Sequence, residues 1–568
     1  MKHDKPLSIV FLTAAVGHGH RAAPLGAARL AAALKAASGL TGRFRVEIVE
    51  GVAADLPEAI AAKAAAFSPD LVGLSLYSWN SGLLEAAGAL VKARHPGALI
   101  VAGGPNASAD PLRLTAPGHD GRRIADIAVA GEGEVAIVDI VRAMLDGKPL
   151  PGPVIRAQLL DPASLSSPWL DGTLDPARWG GAAVELTRGC PFRCSFCFES
   201  KGAAKLRRFP LEVVAKEIAR FQEAKVDEVF VLDPTFNADQ RRMADAIYIF
   251  NEHGPELRYF IELRAELLTA EQARLLATLD CSVQIGLQSA DPKVLALVNR
   301  ELDPERFAKK LRLLDEEGII YGLDLIYGLP GDDIHGFKRS LDYALGLGPN
   351  HLDVFRLAVL PGTALHDQSA GLGLQYEPVA PYLVRATPTF GAADLDQAER
   401  FANAVDVLYN KGRAVMWFRS VAVLAKARPS TLVARFADYL DATGKNSPGH
   451  GAAGLGADTP HRAIEEVQLA FLAASFAEKP PRVAGAAEAA LDLVRVSGAW
   501  TRAFAEGERT ELELGWNPDD LLDYAMGDIA EFAAEAEVAR GRWTCAPGAD
   551  GPEFRKAGGA RPAPKRRN

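Results

Sequence analysis

The 568-residue sequence predicts an α/β protein with an N-terminal doubly wound parallel sheet, a central partial (β/α)6 barrel and a C-terminal, mostly helical domain. Three observations predict it. Short continuous apolar runs alternate with alanine-rich segments from Leu7 to about Leu145, as expected of strands buried on both faces and joined by helices. A second strand-helix series begins near Ala182 and ends near Leu360, and after about Leu365 the strand signal fades.

In the first series, strands are expected at SIVFLTAAV, FRVEIVE, LVGLSLYS, ALIVAGG and IADIAVAGEGE, with helices between them and a last helix at VAIVDIVRAML. Small residues follow the later strands: Ser75 to Asn80 with Tyr77, Gly103-Gly104-Pro105, and Gly131-Glu132-Gly133-Glu134. Ligands of such sheets sit at the carboxyl ends of the strands, where glycine lets backbone approach closely. The expected units are residues 1–150, a proline-rich linker at 151–181, a barrel at 182–365 with strands at AAVELTR, EVFVLD, RYFIEL, SVQIGLQ, IYGLDLIYG and HLDVFRLAVL, a helical domain at 366–546 and a disordered tail at 547–568. The aromatic and basic residues Trp417, Phe418, Arg419 and Trp500 are expected over the barrel mouth, with core packing as the alternative.

Composition narrows the function. A formal charge of −9 argues against a nucleic-acid binder, and no segment approaches the ~18 apolar residues of a membrane span. Five cysteines in so long a chain form no disulfide framework, and three of them crowd into eight residues, which points to a metal site in a reducing compartment, the cytoplasm. The apolar run from Leu7 to Val16 imitates a signal peptide but stops at Gly17-His18-Gly19-His20, and a buried first strand explains it better.

The cysteines carry the chemistry. Cys190, Cys194 and Cys197 lie in one loop directly after a strand, and three thiolates can hold three irons of a four-iron, four-sulfur cubane while leaving the fourth open. A zinc site or an electron-transfer ferredoxin needs a fourth ligand, and Cys281 and Cys545 are far away in sequence; a zinc site completed by a distant residue is the alternative.

CxxxCxxC with Phe196 before the third cysteine resembles the radical S-adenosylmethionine (SAM) superfamily. The resemblance implies a 4Fe-4S cluster whose open iron is chelated by SAM and which cleaves the sulfonium to a 5′-deoxyadenosyl radical. It extends over residues 182 to 365. Asp233, in Asp233-Pro234-Thr235-Phe236-Asn237, stands where the superfamily has a Gly-Gly-Glu-like contact to the amino group. Glu262 and Arg264 stand near the expected methionine carboxylate, with a structural salt bridge as the alternative. Gln288 and Ser289 match the segment that reaches the ribose, and Gly328, within Leu325 to Gly331, matches the one flanking adenine.

Residues 7 to 145 resemble the cobalamin-binding, Rossmann-like domain that precedes the radical domain in one class of these enzymes. That implies cobalamin held by Ser75, Tyr77, Gly103, Gly104, Gly131, Glu132 and Gly133. The Asp-x-His-x-x-Gly motif of histidine-ligating domains is missing after the first strand, so the expectation is a cobalt whose lower face carries no protein histidine and is bare or water-bound; His20 as an axial ligand is an alternative, and His18 and His20 as solvated loop residues are another. The implied activity is C-methylation of an unactivated carbon in a small molecule or peptide, using electrons from a donor such as flavodoxin or ferredoxin. A non-methylating rearrangement or cyclisation and a non-catalytic cobalamin or redox sensor are the competing readings. No side chain is assigned a catalytic role. Cys281 is expected to be a buried apolar side chain, and Asp332 and Asp333 to cap a helix.

Overall fold

The computed structural model describes residues 5–19, 22–118, 121–199, 206–445, 455, 459–549 and 551–557. The N-terminal sheet is built from β1 (Leu7–Ala15), β2 (Phe44–Val52), β3 (Leu71–Ser75), β4 (Leu99–Gly103), β5 (Ile127–Ala130) and β6 (Val154–Arg156) in the order β2-β1-β3-β4-β5-β6, all parallel. Successive side chains of a strand face opposite ways, so Val10 and Leu12 of β1 enter one core while Ile9 and Phe11 enter the other. That double burial is why the strands read as unbroken apolar runs. The apolar start is therefore a central strand. β6 lies inside the expected linker, and its proline-flanked, three-residue length conceals it in the sequence.

The second sheet holds β7 (Gly181–Glu185), followed by the short hairpin β8 (Thr187–Arg188) and β9 (Arg207–Arg208) that flanks the cysteine loop. It continues with β10 (Glu228–Leu232), β11 (Arg258–Leu263), β12 (Cys281–Gln288), β13 (Ile320–Tyr327) and β14 (His351–Arg356). The order β14-β13-β12-β11-β10-β7 is parallel throughout, the six-stranded partial barrel expected. Strict alternation along β12 buries Cys281, Val283, Ile285 and Leu287 against helices and leaves the other face to the barrel interior. Helices start on aspartate or threonine caps: Asp239, Thr269 with its Gln272 capping box, Asp303 and Asp333. Asp333 is thus the cap expected, whereas Asp332 is buried beside it, where burial pushes its carboxyl up to about 6.

The C-terminal region begins with the small pair β15 (Gln375–Tyr376) and β16 (Val384–Ala386) and is otherwise mostly helical, but it also contains a three-stranded antiparallel sheet. Its strands are β17 (Thr510–Leu514), β18 (Gly541–Gly548) and β19 (Gly551–Lys556). The sheet corrects the expected tail. Trp543, Cys545 and Phe554 bury or half-bury against the helices and hold β18 and β19 in place, and the rest of the expected tail, from residue 558, lies outside the described residues. The C-terminal region packs against the exposed edge of the barrel, where Asn410 donates to Leu352 O and accepts from Leu352 N, both at 2.9 Å, pairing the edge strand β14 with a side-chain amide, and it also reaches the strand-end side, where the Tyr382 hydroxyl donates to Asn106 Oδ1 at 3.0 Å. Trp417 and Phe418 are buried with Tyr409, whose hydroxyl donates to Pro349 O at 2.6 Å, at the strand end remote from the cysteine loop. Trp500 stacks on Phe504 on a C-terminal helix. Trp417 and Phe418 are packing residues and do not cover the mouth.

Candidate functional site

The carboxyl ends of the two sheets face one another across a cavity of about 930 Å³. From the N-terminal sheet it takes Ser75 and Tyr77 after β3, Gly103 and Gly104 after β4, and Gly131, Glu132 and Gly133 after β5. From the barrel it takes Arg188, Gly189, Asp233 and Glu262. Nine of the residues singled out in the sequence therefore share one space.

The N-terminal wall is mostly backbone. Asn80 folds the β3 loop by donating to Ala14 O and Ser75 O and accepting from Tyr77 N. Tyr77 stacks on Trp79 at 4.5 Å, and burial raises its hydroxyl pKa despite the bond to Ser75. Gly104 has φ +94°, and a Cβ there would lie 2.7 Å from Leu76 O, so only glycine lets the two loops touch. A Cβ at Gly103 would meet nothing within 4 Å.

The barrel wall is side-chain chemistry. Among the described residues no three His, Cys, Asp or Glu side chains converge on a single metal ion. Three thiolates on a cubane meet it at separate irons and need no common point. Burial pushes the Cys197 thiol up to about 11, with Glu199, Cys194 and Cys190 adding to the shift, so thiolates here require cationic partners. Iron supplies that charge, and the donor set fits a cluster. Cys190 lies 3.7 Å from Thr235 Oγ1, Cys194 lies 3.9 Å from Arg264 Nη1, and Phe196 is half-buried against the core.

Around the cysteines, four buried polar atoms lack a hydrogen-bond partner among the described residues: Ser195 Oγ, Arg264 Nε, Glu266 Oε2 and Gln288 Oε1. Buried polar atoms are almost always paired, so acceptors and donors left over at one place fit an amino-acid-like ligand. Gln288 adds a second sign. It sits at φ +69° beside a register shift in β12, a strained backbone of the kind kept at ligand sites.

The DPTFN segment is a brace. Asp233 accepts from Thr187 Oγ1 at 2.6 Å and from Thr235 N at 3.0 Å, and Asn237 bonds Arg264 through both N and O. It ties the cysteine loop to the end of β11. Ser289 is buried in the following turn, where it accepts from Asp291 N and meets Ser340, and a Cβ on Gly328 would strike Val384 and Leu395. Neither lines the cavity. Cys281 is buried with its thiol directed at Leu276 O. His20 lies outside the described residues.

The family model for the Radical SAM superfamily matches residues 184–344, and that for the B12 binding domain matches residues 13–141. The chain joins a B12-binding domain to a radical SAM domain. It is 29% identical over 373 residues to the cobalamin-dependent radical SAM methyltransferase TokK of Streptomyces tokunonensis, covering 59% of this chain and 53% of TokK. It is also 29% identical over 371 residues to the 2-(S-pantetheinyl)-carbapenam-3-carboxylate methyltransferase of Streptantibioticus cattleyicolor, covering 58% and 53%. The chain thus spans about half the length of these relatives. Its fold is shared with the cobalamin-dependent SAM radical enzyme OxsB, at a TM-score of 0.56 and 14% identity over 94% of this chain and 85% of that one. It is shared too with the radical SAM methyltransferase TsrM of Kitasatospora setae, at 0.52 and 19% over 66% and 80%.

Sequence reasoning missed the residues that join the radical SAM domain to the B12-binding domain. Arg188, two residues before Cys190, pairs with Glu185 at 3.1 Å, Glu134 at 2.9 Å and Glu132 at 3.5 Å. Glu132 also takes Arg207 at 2.7 Å and the Leu160 N–H at 2.7 Å. Burial alone would raise the Glu132 carboxyl, but Arg207, Leu160 N–H and Arg188 outweigh it and hold the group below its usual range. Beneath them Arg29 reaches Glu185 at 2.6 Å and Glu217 at 4.0 Å. Glu132, expected at a cofactor, has its acceptors occupied by this bridge. Arg300, twelve residues after Gln288, was also missed; it is buried and bonds Gly286 O. No helix among the described residues is long and apolar enough to cross a membrane.

Proposed function

We propose that the chain is a cobalamin-dependent radical SAM methyltransferase that acts on an unactivated carbon of a small molecule or peptide. The observation that supports this best is the single cavity lined by the glycine-rich ends of the B12-binding domain and by the residue that precedes Cys190. That placement would bring the groups held by the barrel and by the opposite wall to one substrate. When bound, the cluster with SAM supplies a 5′-deoxyadenosyl radical and the cobalamin supplies a methyl group.

The chain's own residues do the rest. Cys190, Cys194 and Cys197 would hold three irons and leave one for SAM, whose amino and carboxylate groups would meet the unpaired polar atoms of Glu266, Arg264 and Gln288. Gly103, Gly104 and Gly131 would let a flat ring lie against backbone. Phe230 and Phe260, stacked at 5.3 Å in the barrel interior, would shield a radical from water. Glu262 lines the substrate side of the same space. The proposal includes a one-electron donor such as flavodoxin or ferredoxin and a cytoplasmic setting.

The test is anaerobic reconstitution with iron, sulfide and hydroxocobalamin, followed by SAM, reductant and candidate substrates. The expected result is 5′-deoxyadenosine and S-adenosylhomocysteine with a product heavier by one methylene unit. A product of changed structure without that mass gain would convert the assignment to a rearrangement or cyclisation. Formation of neither nucleoside product would remove the enzymatic reading and favour a sensor.

A further inference from the structure

The three thiols do not have equivalent surroundings. Cys194 is buried while Cys190 and Cys197 are half-buried, and it has a guanidinium beside it. Arg264 Nη1 stands 3.9 Å from its sulfur, and Glu266 holds Nη2 at 3.3 Å. The guanidinium carbon lies 3.8 Å from the centroid of the Phe192 ring, an aromatic that is itself part of the Cys190–Cys194 spacer. Asn237 fixes the Arg264 backbone from both sides. Behind it, Arg300 approaches the same Glu266 at 3.9 Å. Two cations share one carboxylate, leaving net positive charge at this corner, and side-chain exposures of 12% and 8% keep it poorly screened.

We propose that Arg264, supported by Arg300, tunes the reduction potential of the cluster through a charge-assisted hydrogen bond to the Cys194 sulfur. The proposal rests on the cluster assignment made above. Reduction by the external one-electron donor puts negative charge on the cluster and its thiolates, so a guanidinium at a thiolate stabilises the reduced form more than the oxidised one and makes the midpoint less negative. The geometry also limits the other role expected for this side chain. With Nη1 on Cys194 and Nη2 on Glu266, its unpartnered Nε remains for a bound carboxylate. Arg264 is therefore a positioning residue that acts on SAM cleavage through the cluster.

The experiment is a redox titration of the full-length chain, reconstituted anaerobically and poised with low-potential dyes, read by electron paramagnetic resonance without SAM. Parent, Arg264→Gln, Arg264→Lys and Phe192→Leu are compared, with iron and sulfide counted in each. Arg264→Gln is expected to shift the midpoint to more negative potential, so that at the parent's midpoint the reduced-to-oxidised ratio falls about tenfold. Arg264→Lys should fall between the two, and Phe192→Leu should shift the same way by less, because it loosens the guanidinium without removing it. If Arg264→Gln does not retain the cluster, the Lys and Leu variants decide. Unchanged midpoints in variants with full iron content overturn this inference and leave the function standing. Weaker SAM binding at an unchanged midpoint overturns it too, and assigns Arg264 to the carboxylate. A parent chain that takes up no four-iron cluster overturns both.

Discussion

The two walls of the central cavity are built from different material. On the barrel wall, function rests on side chains: three thiols, a guanidinium on a spacer aromatic, and an Asp-Thr-Asn brace that locks one strand end to the next. On the N-terminal wall it rests on the lack of side chains, with Gly104 seated against Leu76 O and Gly103 facing open space. A small reactive centre must be gripped at defined atoms, whereas a broad flat ligand is accommodated by backbone cleared out of its way. The walls should therefore fail differently when altered.

The largest effect belongs to the barrel wall. Cys197→Ala removes one of three cluster attachments, and no other cysteine is placed to substitute, since Cys281 and Cys545 are buried elsewhere. Reconstituted variant should lose four-iron absorbance and 5′-deoxyadenosine formation down to background while still retaining cobalamin. Loss of both cofactors together would mean that the walls are not independent, and the comparison would break.

Between the walls lies an ionic seam, and it should respond to pH. Glu217, on the helix Leu211–Ala224, is buried against Arg29 from the N-terminal domain and Ser167 from the linker. Burial raises its carboxyl to about 7 against the pull of Arg29 and Ser167, with Glu185 adding to the rise. The folded chain then binds more protons than the unfolded chain between about pH 4.5 and 7, so stability falls as pH rises through that window, by up to about 3 kcal/mol from this group. Glu217→Gln should flatten the decline, checked by thermal unfolding of parent and variant from pH 4.5 to 7.5. Parallel curves would show that Glu217 stays ionised beside Arg29.

The same contrast governs what the sequence revealed. All strands of the first domain but β6, and every strand of the barrel, were legible, because burial on one or both faces writes itself as apolar runs. The cysteine loop was legible because thiol spacing is chemistry in one segment. The roles of Glu132 and Arg188 were not, since Arg188 meets Glu132 and Glu134 from more than 50 residues away. Ser289 and Gly328 were singled out by the segments they sit in, but which way a side chain or a missing Cβ points depends on Ser340, Val384 and Leu395, supplied by later parts of the chain. β18 and β19 were hidden by glycine, proline and arginine, although Trp543 and Phe554 were the apolar signal that could have found them.

The smallest expected effect tests the N-terminal wall most directly. At Gly103 the backbone is not in the left-handed region and a Cβ meets nothing within 4 Å, so a larger residue costs little in folding and its whole consequence falls on the cavity. Gly103→Leu should leave thermal stability of the cofactor-free chain unchanged and weaken cobalamin retention about tenfold, about 1.4 kcal/mol. Iron content and the cluster spectrum should remain those of the parent. Binding is measured by equilibrium dialysis of hydroxocobalamin against both proteins. If Gly103→Leu binds as tightly as the parent, the ring does not lie over the β4 loop, and the open space there serves the substrate instead.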